Sequence, residues 1–271
     1  KGLLCVKGYH LPGLLYGADR LLYPQKRQPD GSFARISWDE ALDLVATKFG
    51  ETLKQHGPGA VGMYGSGQWT VFDGYAAQKW VKGGLKSNNL EPNARLCMAS
   101  AVSGFITQFQ SDEPMGCYED LDAGDDFVLW GNNMAEMHPV LFSRMLETKR
   151  QKPATRIVDI ATRRTPTTDY ADLHVLFKPG TDLALANGIL HLLLTRGTYD
   201  KDFVAKHAAF RADSDPPTLE GKAITIEDLQ RSLAPYTPEH VEKLSGVRAA
   251  DIRMLAELFG RRDLRIMSLW C

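Results

Sequence analysis

The sequence lacks the paired cysteines that a disulfide scaffold or a self-contained metal site needs. It has only four cysteines, Cys5, Cys97, Cys117 and Cys271. Their wide spread excludes a small fold held together by many disulfides. It also excludes a complete zinc site, whose ligands come in pairs a few residues apart. A metal bound through one of these thiols therefore needs further ligands from a cofactor or from additional sequence.

The chain also lacks an excess of charge and a long apolar run. Its 271 residues carry a formal net charge of −1, which favours neither nucleic acid nor an anionic membrane surface as a partner. The absence of a run of about 18 apolar residues excludes membrane insertion as a helix. With 44% hydrophobic and 24% charged residues, the composition is that of a globular protein of one large or two smaller domains.

Both ends of the sequence have the features of a cut chain. The first residue is Lys1 rather than methionine, and the final stretch LRIMSLWC has strand composition without a following turn. We therefore expect an internal piece of a longer protein. A signal peptide that is missing from such a piece carries no information about compartment.

The order of the predicted elements indicates an α/β fold. The stretches AVGMYGSG, DDFVLWG, ATRIVDI, DLHVLF and LRIMSLW have the composition of buried strands. Helical patterns separate several of them, and one such helix is predicted to begin at a capping box of Ser37 and Glu40. From Tyr199 to the last strand the pattern is mostly helical. Short loops between alternating strands and helices predict a doubly wound, mainly parallel, Rossmann-like sheet with part of a second α/β domain.

Cys97 stands between a polar loop and the predicted helix MASAVSGFITQF, and three interpretations are open for it. A lone cysteine is often a buried core residue. A helix start, however, stabilises the thiolate, which is the form that attacks a substrate or ligates a metal. Lys7, two residues after Cys5, offers an ammonium that would stabilise the thiolate of Cys5 in the same way. The residues alone leave core thiol, nucleophile and metal ligand as alternatives.

Polar loops follow the predicted strands, where an open α/β sheet binds its ligands. In WGNNMAEMHP, Asn132, Asn133 and Glu136 precede a helix start, which suits a ligand that carries phosphate or a heterocycle. The alternative is a polar loop that only caps the next helix.

Two further loops offer similar chemistry. Arg163 and Arg164 follow the strand ATRIV and have the donors that bind phosphate, although a solvated basic loop has the same composition. Asp182 begins a helix, where an ordinary cap is the alternative. Gln68 follows a strand in a glycine turn, which is weak evidence by itself. Together, several post-strand loops and one thiolate would suit a large cofactor with phosphate groups.

Four stretches carry a resemblance to a known family. They are LCVKGY, NARLCMASAV, DEPMGCYEDLDAGDDFVLWGNNMAEMHP and KPGTDLALANGILH, and they spread through most of the chain. The sequence resembles the molybdopterin oxidoreductases of the dimethyl-sulfoxide-reductase type, and most closely their periplasmic nitrate reductase branch. The long third stretch is the most specific of the four.

The resemblance implies roles for individual residues. Cys5 matches the fourth cysteine of a [4Fe–4S] motif, and Lys7 matches the lysine on the electron path between that cluster and the pterin. Cys97 matches the thiolate ligand of molybdenum, and Met98 matches a methionine beside the metal. The positions that match the binding of the molybdenum bis(molybdopterin guanine dinucleotide) cofactor are Lys7, Gln68, Asn93, Cys97, Trp130, Gly131, Asn132, Asn133, Met134, Ala135, Glu136, Met137, Ala161, Thr162, Arg163, Arg164, Thr165, Gly180, Thr181 and Asp182.

The resemblance also implies a domain plan. Residues 1–20 would be the remainder of an iron–sulfur domain, and residues 21–92 part of an α/β domain. Residues 93–271 would form a molybdopterin-binding α/β domain that is truncated at its C-terminal end. The other cluster cysteines, the substrate channel and much of the second pterin site would then lie outside this sequence. We therefore expect the chain alone to be inactive.

The implied activity is reduction of nitrate to nitrite, with electrons delivered through the [4Fe–4S] cluster. A c-type cytochrome subunit would be the electron donor, the compartment would be the periplasm, and neither nucleic acid nor a membrane would be a partner. A cytoplasmic assimilatory nitrate reductase is an alternative. A formate dehydrogenase fits less well, because Met98 rather than histidine follows Cys97. A non-catalytic nucleotide-binding α/β module is disfavoured by the presence of both Cys97 and Lys7.

Overall fold

Two units make up the chain in the computed structural model, which describes residues 2–113, 115–212 and 221–270. One unit comprises Val6–Glu113 and is called the Cys97 unit below. The other, called the sheet unit, comprises Pro114–Cys271 with Lys1–Cys5. The predicted boundaries at residues 20 and 92 concern the domains of an intact protein and stay predictions.

The Cys97 unit consists of helices and two small sheets. Its elements are α1 (Val6–Tyr16), β1 (Gln25–Arg27), β2 (Phe33–Arg35), α2 (Trp38–His56), β3 (Met63–Gly65), α3 (Val71–Gln78), β4 (Leu90–Pro92), α4 (Ala94–Cys97) and α5 (Ala99–Phe109). Strands β1 and β2 form an antiparallel hairpin, whereas β3 and β4 pair in parallel. A 3₁₀ turn spans Pro58–Ala60, and a π-helical turn, Lys79–Gly84, extends α3.

The start of α2 contains half of the predicted capping box. The Ser37 hydroxyl accepts a hydrogen bond from the Glu40 amide at 3.1 Å. The Glu40 carboxylate lies 3.6 Å from the Lys26 ammonium of β1. It is therefore engaged by a cation of the neighbouring hairpin, which local sequence spacing does not indicate.

The sheet unit contains most of the regular structure. Its elements are α6 (Asp120–Ala123), β5 (Asp126–Trp130), α7 (Met134–Met137), α8 (Pro139–Gln151), β6 (Arg156–Ala161), β7 (Leu173–Leu176), α9 (Asp182–Arg196), α10 (Lys201–His207), β8 (Phe210–Ala212), β9 (Lys222–Ile224), α11 (Ile226–Leu233), α12 (Pro238–Ser245), α13 (Ala249–Phe259) and β10 (Ile266–Trp270). A 3₁₀ turn, Thr168–Tyr170, precedes β7. Four strands form one parallel sheet in the order β10-β5-β6-β7.

Apolar side chains of this sheet alternate between its two faces, and helices cover both faces. On β5, Val128 faces a core that α9, α12 and α13 complete, whereas Phe127 and Leu129 face a second core beneath α6 and α8. The helix residues of the first core include Leu185, Ile189, Val241, Ile252 and Leu255, and those of the second include Leu121, Phe142 and Met145. The prediction of a doubly wound parallel α/β sheet is confirmed.

Among the described residues, no helix combines the length and the apolar composition that crossing a membrane requires. Cys271 lies outside the described residues.

Asp172 stabilises the junction of β6, β7 and α8, and its contribution depends on pH. Its Oδ2 accepts a hydrogen bond from the Ile157 amide at 2.7 Å and one from the Lys149 ammonium. Burial alone would raise the pKa of the Asp172 carboxyl, but these hydrogen bonds outweigh it and lower the pKa below its ordinary value. The folded state therefore favours the ionised carboxylate.

We expect Asp172→Asn to lower the melting temperature at pH 7. Because the folded pKa is the lower one, the stabilisation is complete above the unfolded pKa of about 3.9 and is lost as the pH falls through the folded value. The difference from wild type should therefore shrink below about pH 4. Asp169→Asn serves as the control, since its pair with Arg164 is exposed and contributes little. A difference that stays constant down to pH 2 would contradict this account.

Candidate cofactor site

The strand order of the sheet unit creates a switch point at the end of β5. From β5 the chain moves outward through β6 to β7, and β10 then returns to the opposite side of β5. Open α/β sheets bind ligands beyond the carboxyl ends of their strands at such a reversal, because the connections leave a crevice there. Trp130, the last residue of β5, stands at this position.

The loop after β5 presents a buried and unsatisfied amide oxygen. Gly131 has a φ of 67°, a conformation that favours glycine, and its amide donates to the Ile160 carbonyl at 2.8 Å. The next residue, Asn132, is 3% exposed, and its Oδ1 accepts no hydrogen bond from the described part of the chain. Buried polar atoms are normally paired, so Asn132 is positioned to accept a hydrogen bond from a ligand.

Other predicted residues of this loop differ in accessibility. The side-chain amide Nδ2 of Asn133 donates to the Glu136 carboxylate, and Glu136 and Met137 are exposed. Met134, in contrast, is 2% exposed and packs in the core beneath α8. Its side chain therefore anchors the loop in the core, and only its backbone is left to contact a ligand.

The loop after β6 places two arginines in different situations. Both are exposed, but Arg164 lies 3.3 Å from Asp169, whereas Arg163 makes no ion pair within the described residues. Arg163 is therefore the better placed of the two for a phosphate. Thr165 Oγ1 is buried and, within the described ranges, has no hydrogen-bond partner. Ala161 is the buried end of β6, and Thr162 is exposed.

The segment after β7 returns to the end of β5. Gly180 has a φ of 79°, and the Thr181 hydroxyl donates to the Lys178 carbonyl at 2.6 Å instead of capping α9. Asp182, the first residue of α9, accepts a hydrogen bond from the Trp130 indole N–H at 3.4 Å. The three predicted segments of the sheet unit thus lie together at the carboxyl edge of the sheet, while their binding roles stay predictions.

A smaller arrangement of the same type occurs in the Cys97 unit. Strands β3 and β4 are parallel, so the loops that carry Gln68 and Asn93 leave the same edge. The Asn93 amide donates to the Gly65 carbonyl at 3.0 Å, and the Asn93 Oδ1 accepts from the Gly67 amide. A Cβ on Gly67 would overlap that oxygen, so glycine at position 67 is required for this approach.

Cys97 is exposed, so the described part of this chain does not bury it as a core thiol. The sequence predicted that it precedes a helix, and the structure shows it at the end of the short helix α4, with Met98 between it and α5. The difference arises because the amides of Cys97 and Met98 donate to the Asn93 and Ala94 carbonyls, which continues the helical turn through Cys97. Its position relative to the loops of the sheet unit stays a prediction.

For the other residues predicted to lie at the metal or on the electron path, the structure gives only their exposure and their place in the chain. Cys5 is half-buried and directly precedes α1, Lys7 lies in the first turn of α1, and Met98 is half-buried. Cys117 is exposed, and its amide donates to Asp120 at 2.8 Å. Within the described ranges, no group of three or more His, Cys, Asp or Glu side chains lies together as a metal site would require.

Comparison with known proteins identifies the family. The profile of the molybdopterin oxidoreductase family matches residues 20–255. The chain belongs to the molybdopterin oxidoreductase family. The predicted family is thereby confirmed, and membership implies a molybdenum–pterin cofactor. The nitrate reductase branch of the family stays a prediction.

A solved structure has the same fold as this chain. Acetylene hydratase from Pelobacter acetylenicus superposes with a TM-score of 0.68 at 22% sequence identity. The match covers 99% of this chain and 34% of that protein, so the chain spans about a third of the length of its structural relative.

The chemistry of the site residues fits the cofactor of the family. The exposed Cys97 thiol is a soft ligand of the type that a redox metal takes. Asn132 offers a buried acceptor for the N–H groups of a heterocycle, and Arg163 offers a guanidinium that makes no ion pair within the described residues and could bind a phosphate. When bound, a molybdenum–pterin cofactor supplies a metal centre for two-electron redox chemistry.

Sequence analysis missed two buried threonines that connect these loops. Thr167 and Thr168 lie between β6 and β7, and the hydroxyl of each takes part in two hydrogen bonds. The stretch TPTTDY shows only a polar turn. The partners are up to 34 residues away along the chain, so no local pattern reveals them.

Proposed function

We propose that this chain is part of the catalytic subunit of a molybdenum nitrate reductase. In the reaction, nitrate takes up two electrons and two protons and yields nitrite and water. The observation that carries the proposal is the exposed Cys97 thiol beside a strand-end turn of Gln68 and Asn93.

The specific substrate rests on the sequence around that thiol. Met98 follows Cys97, and the stretch from Asp112 to Pro139 resembles the nitrate reductase branch over its whole length. We propose the bis(molybdopterin guanine dinucleotide) form of the cofactor, with Cys97 as the protein ligand of molybdenum. Asn132, Arg163 and Asp182 would hold a nucleotide at the carboxyl edge of the sheet.

The electron path and compartment are parts of the same proposal. Cys5 would complete a [4Fe–4S] cluster with cysteines from outside this sequence, and Lys7 would lie between cluster and pterin. A positive charge there would affect the potentials of both centres without taking part in a bond change. A c-type cytochrome in the periplasm would supply the electrons.

Metal analysis and turnover of the full-length subunit test the proposal. We expect about one molybdenum and about four iron atoms per subunit, and nitrite formation when a reduced viologen dye supplies electrons. Formate oxidation should be absent, because Met98 rather than histidine follows Cys97. A subunit that contains molybdenum but turns over only formate would refute nitrate as the substrate. One without molybdenum or pterin would refute the catalytic role itself.

A further inference from the structure

The hydroxyl of Thr167 joins the loop after β6 to the loop after β5. Thr167 is fully buried, and its Oγ1 donates to the Asn133 Oδ1 at 2.9 Å. The same oxygen accepts a hydrogen bond from the Ala135 amide at 3.0 Å. Both partners belong to the segment 131–137, on either side of the buried Met134. A single hydroxyl group therefore fixes this segment at two points.

The adjacent Thr168 attaches the same loop to the strand beneath it. Its Oγ1 donates to the buried Asp159 carboxylate of β6 at 2.6 Å and accepts from the Thr165 amide at 3.0 Å. Asp159 is 1% exposed, so this hydrogen bond lies inside the unit. The two threonines together form a continuous connection from β6 through its loop to the loop after β5.

We infer that Thr167 is a positioning residue for the nucleotide of the cofactor, an inference that rests on the cofactor proposed above. Its neighbours in space are the residues predicted to touch that nucleotide, and its own hydroxyl already donates one hydrogen bond and accepts another within the protein. By fixing Asn133 and Ala135 it sets the position of Asn132, whose buried Oδ1 is left for a ligand. Residues that orient ligand-bearing groups in this way contribute to affinity without contact.

Four variants of the full-length subunit separate this role from a purely structural one. Thr167→Val keeps the shape of the side chain and removes the hydroxyl. Thr167→Ser and Thr167→Ala both lose the methyl group and differ only in the hydroxyl, so this pair isolates the hydrogen bonds. Thr148→Val is the matched control, because Thr148 is also buried and its hydroxyl donates to the Leu121 carbonyl of α6 at 2.8 Å.

The readouts are the rate of cofactor release and hydrogen exchange in residues 131–137. Molybdenum and fluorescent oxidised pterin are measured per subunit after incubation and gel filtration. We expect release to be on the order of ten- to hundredfold faster in Thr167→Val and Thr167→Ala, the range seen when groups that orient ligands are removed. Thr167→Ser and Thr148→Val should release at the wild-type rate. Hydrogen exchange in residues 131–137 should rise in Thr167→Val and stay unchanged in Thr148→Val.

Two outcomes overturn the inference. One is equal release from Thr167→Ser and Thr167→Ala, a comparison that does not depend on whether Thr167→Val folds. The other is faster release from Thr148→Val to the same extent as from Thr167→Val, since the effect would then follow stability alone. A wild-type subunit without molybdenum and pterin is a different result, because it refutes the proposed function and not the contacts of Thr167.

Discussion

Replacing Cys97 by alanine in the full-length subunit is expected to lower nitrate reduction more than about 100-fold. Removal of groups that only orient metal ligands costs about 10- to 100-fold, and loss of a ligand should cost more. Cys97 is exposed, so alanine leaves neither a cavity in a core nor an unpaired buried group. The loss should therefore come from the metal site, with the folded structure retained.

Nitrite formation and the Mo(V) electron paramagnetic resonance signal together measure this effect. The signal should change shape in Cys97→Ala because a sulfur ligand is lost from the metal. Cys117→Ala is the matched control: it is also an exposed cysteine and should retain near-normal activity and signal. Wild-type turnover in Cys97→Ala would falsify the assignment, as would loss of molybdenum in Cys117→Ala.

The large sheet could be predicted because its strands are unusually apolar. In β5, Phe127, Val128 and Leu129 are fully buried, which is the burial expected of a parallel strand covered on both faces. The end of α9 also follows a local rule, since Gly197 adopts a φ of 66° after the last helical residue, a conformation that favours glycine. Where a tertiary contact competes, the prediction fails in part, as for Glu40 with Lys26.

The candidate site could be predicted only where it follows from strand ends. The end of β5 places Trp130 to Asn133 at the sheet edge by topology alone, and the end of β6 does the same for Arg163. Exposure of Cys97 could not be predicted, because a short helix beside a small sheet places the thiol, and lone cysteines are usually buried. Thr167 was missed because its role comes from contacts across two loops.

The opposite edge of the sheet contains an ion pair that lies away from the loops predicted to bind the cofactor. Asp126, at the start of β5, is almost fully buried, and its Oδ1 accepts a hydrogen bond from the Arg156 amide of β6 at 2.9 Å. The same carboxylate accepts from the Arg156 guanidinium, Nε lying 3.2 Å from each oxygen, and raises the pKa of that group. One side chain thus joins two central strands through both backbone and charge.

Asp126→Ala is expected to lower the free energy of unfolding by about 2–3 kcal/mol. The backbone amide of Arg156 loses its acceptor, whereas the guanidinium is 46% exposed and regains water, which keeps the cost below that of a fully buried pair.

Asp263→Ala is the control, because its pair with Arg261 is exposed on both sides and contributes little. Urea midpoints of the full-length variants, taken at pH 7 with cofactor content as a second readout, measure the difference. Equal midpoints for the two variants would show that the buried carboxylate does not stabilise the junction of β5 and β6. Unchanged cofactor release in Asp126→Ala would separate this stabilising edge from the edge where Thr167 acts.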